Sequence, residues 1–459
     1  MVEALSATTF PPTEAQVLPI VVIGAGPVGL AAAAHLLERG LTPLVLEAGT
    51  GAGASILAWG HTRLFSPWQY NIDAAAERLL TAAGWTAPDL QDLPTGTQLV
   101  TQYLQPLATT TVLAQHVRTD SRVIAVSRAG MDKTRTAGRA ETPFLVRTQH
   151  GDGTMEDIHA SAVIDASGTW STPNPLGRAG LPAPGEAEAV ASGRITVALP
   201  DVIGRDRQAF AGRHVLVVGS GHSAANTLLE LGSLAEDAPD TRISWAVRSA
   251  DVSSVYGGED RDELAARGAL GTRLRHLVES GTIQVHTSFT ITGITSAADH
   301  VDVLASTPAG DQTLAVDAVV PATGFRPDLG ILSELRLDLD PAVDAPRQLG
   351  PLIDPEFHSC GSVTPHGERM LAHPEQGFYI AGMKSYGRAP TFLMATGYEQ
   401  VRSIAASLAG DWAAADNVEL HLPETGVCAT DLGGSCDLPA TEPVALGTTP
   451  GTARVSSCC

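Results

Sequence analysis

Apolar residues in this chain come in short β-branched runs that give way to alanine-rich stretches with helical spacing, and the alternation repeats. Ile20-Val21-Val22-Ile23 precedes a glycine turn, a helix predicted from Leu30 to Arg39, a stop at Gly40, and a second strand Pro43-Leu44-Val45-Leu46 that ends in Glu47. This is a complete βαβ unit. A second copy starts at Val215-Leu216-Val217-Val218, continues as a helix over Ala224 to Leu231 and returns as Ile243-Ser244-Trp245-Ala246-Val247. Between Ser121 and Ile164 the period shortens to two. Arg122 to Val126, Phe144 to Thr148 and Ala162 to Ile164 there predict a β-meander inserted in the first unit. Gly377 to Gly382 reads as a buried strand, and Ala389 to Leu408 as the helix that closes the unit. From Gly410 onward the chain is Gly/Pro/Thr-rich, mostly acidic and weakly periodic. The pattern predicts an α/β fold of two Rossmann-like three-layer domains, one nested in the other, each with a β-meander. The expected division is 1–204 and 323–410 for the outer domain, 205–322 for the inner one and 411–459 for a tail.

Both βαβ units carry a glycine fingerprint between strand and helix: Gly24-Ala25-Gly26-Pro27-Val28-Gly29 and Gly219-Ser220-Gly221-His222-Ser223-Ala224. The first glycine makes the turn, the second lets a pyrophosphate approach the backbone, and the third position stays small so that helix and strand can pack. The phosphates then sit on a helix N-terminus. Glu47, followed by Ala48, lies about 20 residues beyond Gly24, where an acidic side chain accepts hydrogen bonds from an adenosine ribose. An acid there disfavours a 2′-phosphate, so the first site suits FAD. Arg248 follows the equivalent strand of the second unit and suits the 2′-phosphate of NADPH. Two further segments echo each other, Asp165-Ala166-Ser167-Gly168-Thr169-Trp170 and Pro321-Ala322-Thr323-Gly324-Phe325-Arg326. Each runs a buried strand into a small-residue turn, where Gly168, Thr323 and Gly324 let the chain cross between domains against a cofactor.

With 459 residues and 44% hydrophobic positions, the chain has the length for sizeable cores. Its net charge of −21 argues against nucleic acid as a partner. No basic leader precedes Leu18, and no apolar run is long enough for a bilayer, so a cytoplasmic protein with a small-molecule substrate and no membrane partner is expected, with a homodimer left open. The five cysteines, Cys360, Cys428, Cys436, Cys458 and Cys459, fall in the last quarter and form no secreted disulfide framework. His358, Cys360, His366 and His373 share one stretch, but their spacings match no standard metal site.

Two fingerprints, two glycine crossings and a nested second domain together resemble the two-dinucleotide-binding-domain flavoproteins, over roughly residues 18–409. Phe210-Ala211-Gly212 and Trp170-Ser171-Thr172-Pro173-Asn174-Pro175 are similar to the flavin-containing monooxygenase branch, and to flavoproteins found with bacterial arsenic-resistance genes. The resemblance implies FAD and NADPH as cofactors. It also implies that the aromatic stretch Ala58 to Asn71 runs beside the flavin, with Trp59 and His61 lining the pocket, Arg63 meeting the pyrophosphate and Asn71 near the reactive ring. It places Gly382 in the final flavin-contacting turn, with Lys384 and Arg388 either as cations able to stabilise reduced flavin or as solvated loop charges. Gly193 to Pro200 departs from the branch's usual signature, and no cysteine precedes Cys360, so a dithiol next to the flavin of the thioredoxin- or glutathione-reductase kind is absent. The vicinal Cys458 and Cys459 resemble the tails of mercuric reductases and offer thiolates to a soft metal or metalloid. The leading expectation is therefore hydride transfer from NADPH to FAD followed by oxygen activation toward a soft nucleophile such as a thiol or arsenical. The alternative is a reductase that passes electrons to a metalloid, metal or disulfide through the C-terminal cysteines.

Overall fold

A computed structural model describes residues 17–257, 265–356, 363–389 and 392–420. All five cysteines and His358 lie outside these residues, so the expectations for Cys458 and Cys459 meet no structure here.

The first βαβ unit forms as its periodicity predicts. Strand β1 (Ile20–Ile23) leads into the helix Pro27–Glu38 and then β2 (Pro43–Leu46). Pro27 at the first helical turn lets the helix begin three residues earlier than the apolar spacing suggests. Strand β3 (Val117–Arg118) adds to β2, and β4 (Ser121–Arg128), β5 (Phe144–His150) and β6 (Met155–Ala160) form an antiparallel meander. Here the structure corrects the sequence reading. Ala162 to Ile164 belongs to β7 (Ala162–Asp165), which pairs in parallel with β1, while the third meander strand is the polar Met155–Ala160. The all-buried run of β7 is the mark of a strand covered on both faces, whereas β6 buries only one.

The second unit contributes β8 (His214–Val218), β9 (Arg242–Ala246), β10 (Ile283–His286), a meander of β11 (Thr290–Ser296), β12 (Val301–Thr307) and β13 (Gly310–Val316), and β14 (Ala318–Pro321). Strands β10-β9-β8-β14 make one parallel sheet. Its helix runs His222–Asp237, past the predicted end at Leu231, because Gly232 receives the Leu277 side chain of a neighbouring helix instead of ending the turn. The chain then returns as β15 (Phe378–Ile380), which pairs with β7 and completes the sheet β15-β7-β1-β2-β3. The second sheet is thus inserted between two neighbouring strands of the first, which is the nesting expected. The closing helix is Met394–Leu408 and is preceded by a 3-10 turn, Gly382–Tyr386. Beyond Gly410, Asp411 caps a further helix, Trp412–Asp416, and pairs with Arg39.

The cores follow the sheets. The helix Pro27–Glu38 is buried from Val28 to Leu36 beneath the closing helix. Trp245 fills the second core, and its indole Nε1 donates to the carbonyl of Gly219 at 2.7 Å, tying that core to the second glycine turn. Burying an aromatic of this size contributes about 1.5–3 kcal/mol.

Candidate cofactor and active site

At the first fingerprint Gly24 has φ +97°, and a Cβ there would come 3.0 Å from the carbonyl oxygen of Ala166. A left-handed residue pressed against another segment admits glycine alone. A Cβ on Gly29 would lie 1.9 Å from the Gly24 oxygen, so the helix rests directly on the turn. Gly26 differs. Its Cβ would meet nothing within 4 Å, and no side chain caps the helix that it starts. The second turn repeats this division: a Cβ on Gly219 (φ +131°) would lie 2.0 Å from the Ala322 oxygen, while Gly221 opens onto free space at another uncapped helix start. In place of a third glycine stands Ala224, fully buried. Both cradles therefore suit a pyrophosphate, with backbone N–H groups and the positive end of a helix at hand.

Glu47 closes the first cradle from the side. One carboxylate oxygen accepts the N–H of Ala25 and the other that of Gly49, both at 2.7 Å, with Ala48 half-buried between them. Each oxygen keeps a lone pair for a ribose hydroxyl. Arg248 stands exposed two residues past β9, beyond the second cradle; Ser220 is exposed and Ser223 half-buried at the cradle's rim.

The two crossings meet. Thr323 Oγ1 donates to the Asn174 carbonyl at 2.6 Å, the Asn174 amide returns a bond to the Thr323 carbonyl, and Asn174 N–H bonds the Gly324 carbonyl. Trp170 and Phe325 stack with ring centroids 4.8 Å apart. Gly168 (φ +71°) follows Ser167, whose backbone and hydroxyl both bond Asp165. The passage between domains is thus a paired, aromatic-clasped ribbon.

Four of the expected side chains have protein partners of their own here. Asn71 is 1% exposed, and its amide is clasped to Ser66: Nδ2 donates to the Ser66 carbonyl and Oδ1 accepts its hydroxyl. Its own carbonyl accepts the Tyr398 hydroxyl at 2.7 Å, so Asn71 shapes the aromatic segment rather than presenting a free amide. Arg63 is exposed and donates to the Leu93 carbonyl. Lys384 is not a loop cation. Its side chain is 1% exposed and its ammonium bonds Asp165 at 2.7 Å and Ser167 at 3.1 Å, a charge pair at the end of β7. Arg388 is exposed and pairs with Asp344.

Other aromatic-segment residues sit as follows. Trp59 is half-buried with its ring edge 3.0 Å from where a Gly96 Cβ would be. Phe65 lies 5.1 Å, centroid to centroid, from the ring of His222 at the start of the second cradle's helix. His61 Nε2 stands 3.9 Å from Glu230 on that same helix. The segment after the first βαβ unit therefore touches the second unit.

The turn carrying Gly382 is held by Gln400, a fully buried side chain that sequence reasoning missed. Gln400 Oε1 accepts the Gly382 N–H at 2.8 Å, and its amide donates to Ser385 and to His366, both at 2.9 Å. His366 Nδ1 donates to the Thr364 carbonyl, so Nε2 is the acceptor, and burial lowers its basicity. Val28 of the first fingerprint packs at 3.3 Å from a Gly382 Cβ position, which joins this turn to the first cradle. Among the described residues no group of three or more His, Cys, Asp or Glu is arranged to hold a metal ion, and no helix is long and apolar enough to cross a membrane.

Two open glycine cradles on nested parallel sheets, joined by a paired ribbon, define the two-dinucleotide-binding oxidoreductase fold. The chain belongs to the pyridine nucleotide-disulphide oxidoreductase family, whose profile matches residues 21–348, and is an NAD(P)H-dependent flavoprotein enzyme. Among solved structures it is similar to the bacillithiol disulfide reductase Bdr of Bacillus cereus (21% identity, TM-score 0.64, covering 86% of this chain and 99% of that one). It is also similar to the FAD-bound cadaverine monooxygenase DfoA of Erwinia amylovora (14%, 0.60, 90% and 100%). A third is the ornithine N-hydroxylase of a Kutzneria species, solved with reduced FAD, NADP+ and ornithine (17%, 0.53, 86% and 99%). Such identities establish the fold alone. No curated protein sequence matches the chain.

Proposed function

We propose that the chain is an FAD- and NADPH-dependent oxidoreductase of the monooxygenase kind, in which reducing equivalents from NADPH activate oxygen toward a soft nucleophile such as a thiol or a trivalent arsenical. The observation that carries the two-cofactor reading is the pair of open cradles at Gly26 and Gly221, each in front of an uncapped helix, with an acid closing one and an exposed Arg beyond the other. FAD, when bound, accepts hydride from the nicotinamide and passes the electrons on.

The protein's own part is binding, orientation and exclusion of water. The N–H groups after Gly26 hold the FAD pyrophosphate while Glu47 takes the adenosine ribose. The Gly221 turn holds the NADPH pyrophosphate, and Arg248 meets its 2′-phosphate. Lys384 and Asp165 fix the end of β7 beside the first cradle, and Gln400 fixes the Gly382 turn. Trp59, Phe65 and the buried Trp68 keep the aromatic segment dry.

The oxygenase reading is supported by the sequence, which carries no cysteine before Cys360 and so no dithiol close to either glycine fingerprint. The adjacent Cys458 and Cys459 favour a second reading, electron delivery to a metalloid, metal or disulfide. Labelled dioxygen separates the two. An oxygenase given NADPH and a thiol or trivalent arsenical puts one labelled atom into the product and one into water. A reductase instead reduces its acceptor without oxygen and loses that activity in a Cys458→Ser, Cys459→Ser variant.

A further inference from the structure

The helix behind the second cradle is gripped by the segment that follows the first βαβ unit, and the grip contains a carboxyl group with an unusual environment. His222, Asn226 and Glu230 recur at helical spacing along one side of the helix. Phe65 lies against the ring of His222 and His61 faces Glu230. The Glu230 side chain is 21% exposed, but its Oε2 is buried and has no hydrogen-bond partner. The other groups around it are few. The backbone N–H of Val202, bonded to the Pro200 carbonyl, lies near Glu230 and favours its charged form, Asp201 faces it with a like charge, and Asp206, paired with Arg205, acts on His61 from the same 201–206 loop. Three chain segments thus converge on one carboxyl group between the two nucleotide units.

We propose that Glu230 and His61 are positioning residues, a proton-controlled clasp that sets the NADPH-binding helix against the flavin-side segment. The proposal rests on the assignment of the second cradle to NADPH. Its warrant is the junction itself: a carboxyl with one oxygen unpartnered, a neighbouring acid, and a stacked ring pair that must separate if the two units part.

The sign follows from burial. Removal from water, and then Asp201, push the Glu230 carboxyl up to about 7, while the Val202 N–H works the other way. A carboxyl whose value is raised in the closed arrangement favours closure when protonated and opposes it once ionised. The clasp therefore tightens below neutrality and loosens as pH rises through 7. With an ordinary carboxyl value in the open arrangement, the closing equilibrium falls about tenfold between pH 6 and pH 8.

Hydrogen exchange on the intact FAD-bound protein tests this without any turnover. Peptides covering 58–71 and 222–237 should lose about tenfold in protection from pH 6 to pH 8, after correction for the intrinsic exchange rate. Glu230→Gln, which holds the position neutral, should keep the low-pH protection throughout, and Asp201→Asn should move the midpoint to lower pH. Equal protection at both pH values in the wild type, or a full tenfold loss retained in Glu230→Gln, overturns the clasp. The FAD-to-protein ratio of each variant shows whether it has folded. Anaerobic flavin reduction supplies the kinetic arm: the apparent KM for NADPH should follow the same midpoint in the wild type and become flat in Glu230→Gln. A KM profile that stays unchanged in the variant means that the contact positions nothing. If NADPH fails to reduce the flavin at all while the exchange pattern holds, the cofactor assignment falls and the junction stands.

Discussion

One methyl group distinguishes the work of Gly26 from that of Gly29. At Gly29 it would overlap the Gly24 carbonyl, so Gly29→Ala should destabilise the fold itself by about 1–3 kcal/mol, seen in thermal unfolding without cofactor. At Gly26 it meets only open space. Gly26→Ala should therefore unfold within a few tenths of a kcal/mol of the wild type yet lose FAD on gel filtration. Retention of FAD at wild-type stoichiometry would show that the cradle is not where the pyrophosphate lies. Residues whose role depends on near neighbours in sequence, such as the glycines and Glu47, are legible without a structure because the turn they make is local. Lys384 and Asp165 are 219 positions apart, and Glu375 lies 247 from Arg128. Nothing in either sequence neighbourhood announces such partners. For the same reason Lys384 reads as a solvated cation until the fold brings a carboxylate to it.

At the scale of elements, the parallel strands place the chemistry at their carboxyl ends. Glu47 lies one residue past β2 and Arg248 two residues past β9, so each sits just beyond the second strand of its βαβ unit. If that place at the strand end carries function, Arg248→Ala should narrow the preference for NADPH over NADH through a higher KM for NADPH, with FAD content unaltered. An unchanged cofactor preference would remove Arg248 from the site. Strands with a fully apolar run and helices with a continuous small-residue face were readable from periodicity, and so was the nesting. The polar edge strand Met155–Ala160 was not, because it buries one face and carries Glu156 and Asp157 on the way. Helix ends also moved. Gly232 does not stop its helix, because Leu277 packs against it there, and the closing helix starts at Met394, after Arg388 and Ala389 have been spent on the bonds that complete the preceding turn.

Over the whole molecule, the returning segment is what locks the outer unit. Glu375 is buried, with Arg128 bonded at 2.7 Å, Arg139 at 2.8 Å and the Arg336 N–H at 3.0 Å, and Arg128 also lies 3.7 Å over the Phe144 ring. Burial alone would raise this carboxyl, but Arg139 and Arg128 outweigh it and hold it below the usual glutamate value of 4.5. A depressed value means stability that is present above 4.5 and lost as pH falls toward the native value. Acid unfolding of the wild type should therefore steepen below pH 4.5. Glu375→Gln should flatten that limb and cost about 3 kcal/mol at neutral pH, because two buried guanidinium groups lose their counter-charge. An acid limb of wild-type steepness in the variant would assign it to other carboxylates.

The clamp, the paired crossings and the clasp proposed at Glu230 all bear on one arrangement, the setting of the two proposed nucleotide cradles against each other so that hydride can pass from one cofactor to the other. The direct test is to mix the FAD-loaded protein with NADPH in the absence of oxygen and follow the flavin absorbance, with Gly221→Glu beside it. The account predicts that NADPH bleaches the wild-type flavin in full, while the variant keeps its FAD and stays yellow until a chemical reductant is added. A wild-type flavin that dithionite reduces and NADPH leaves oxidised would contradict it.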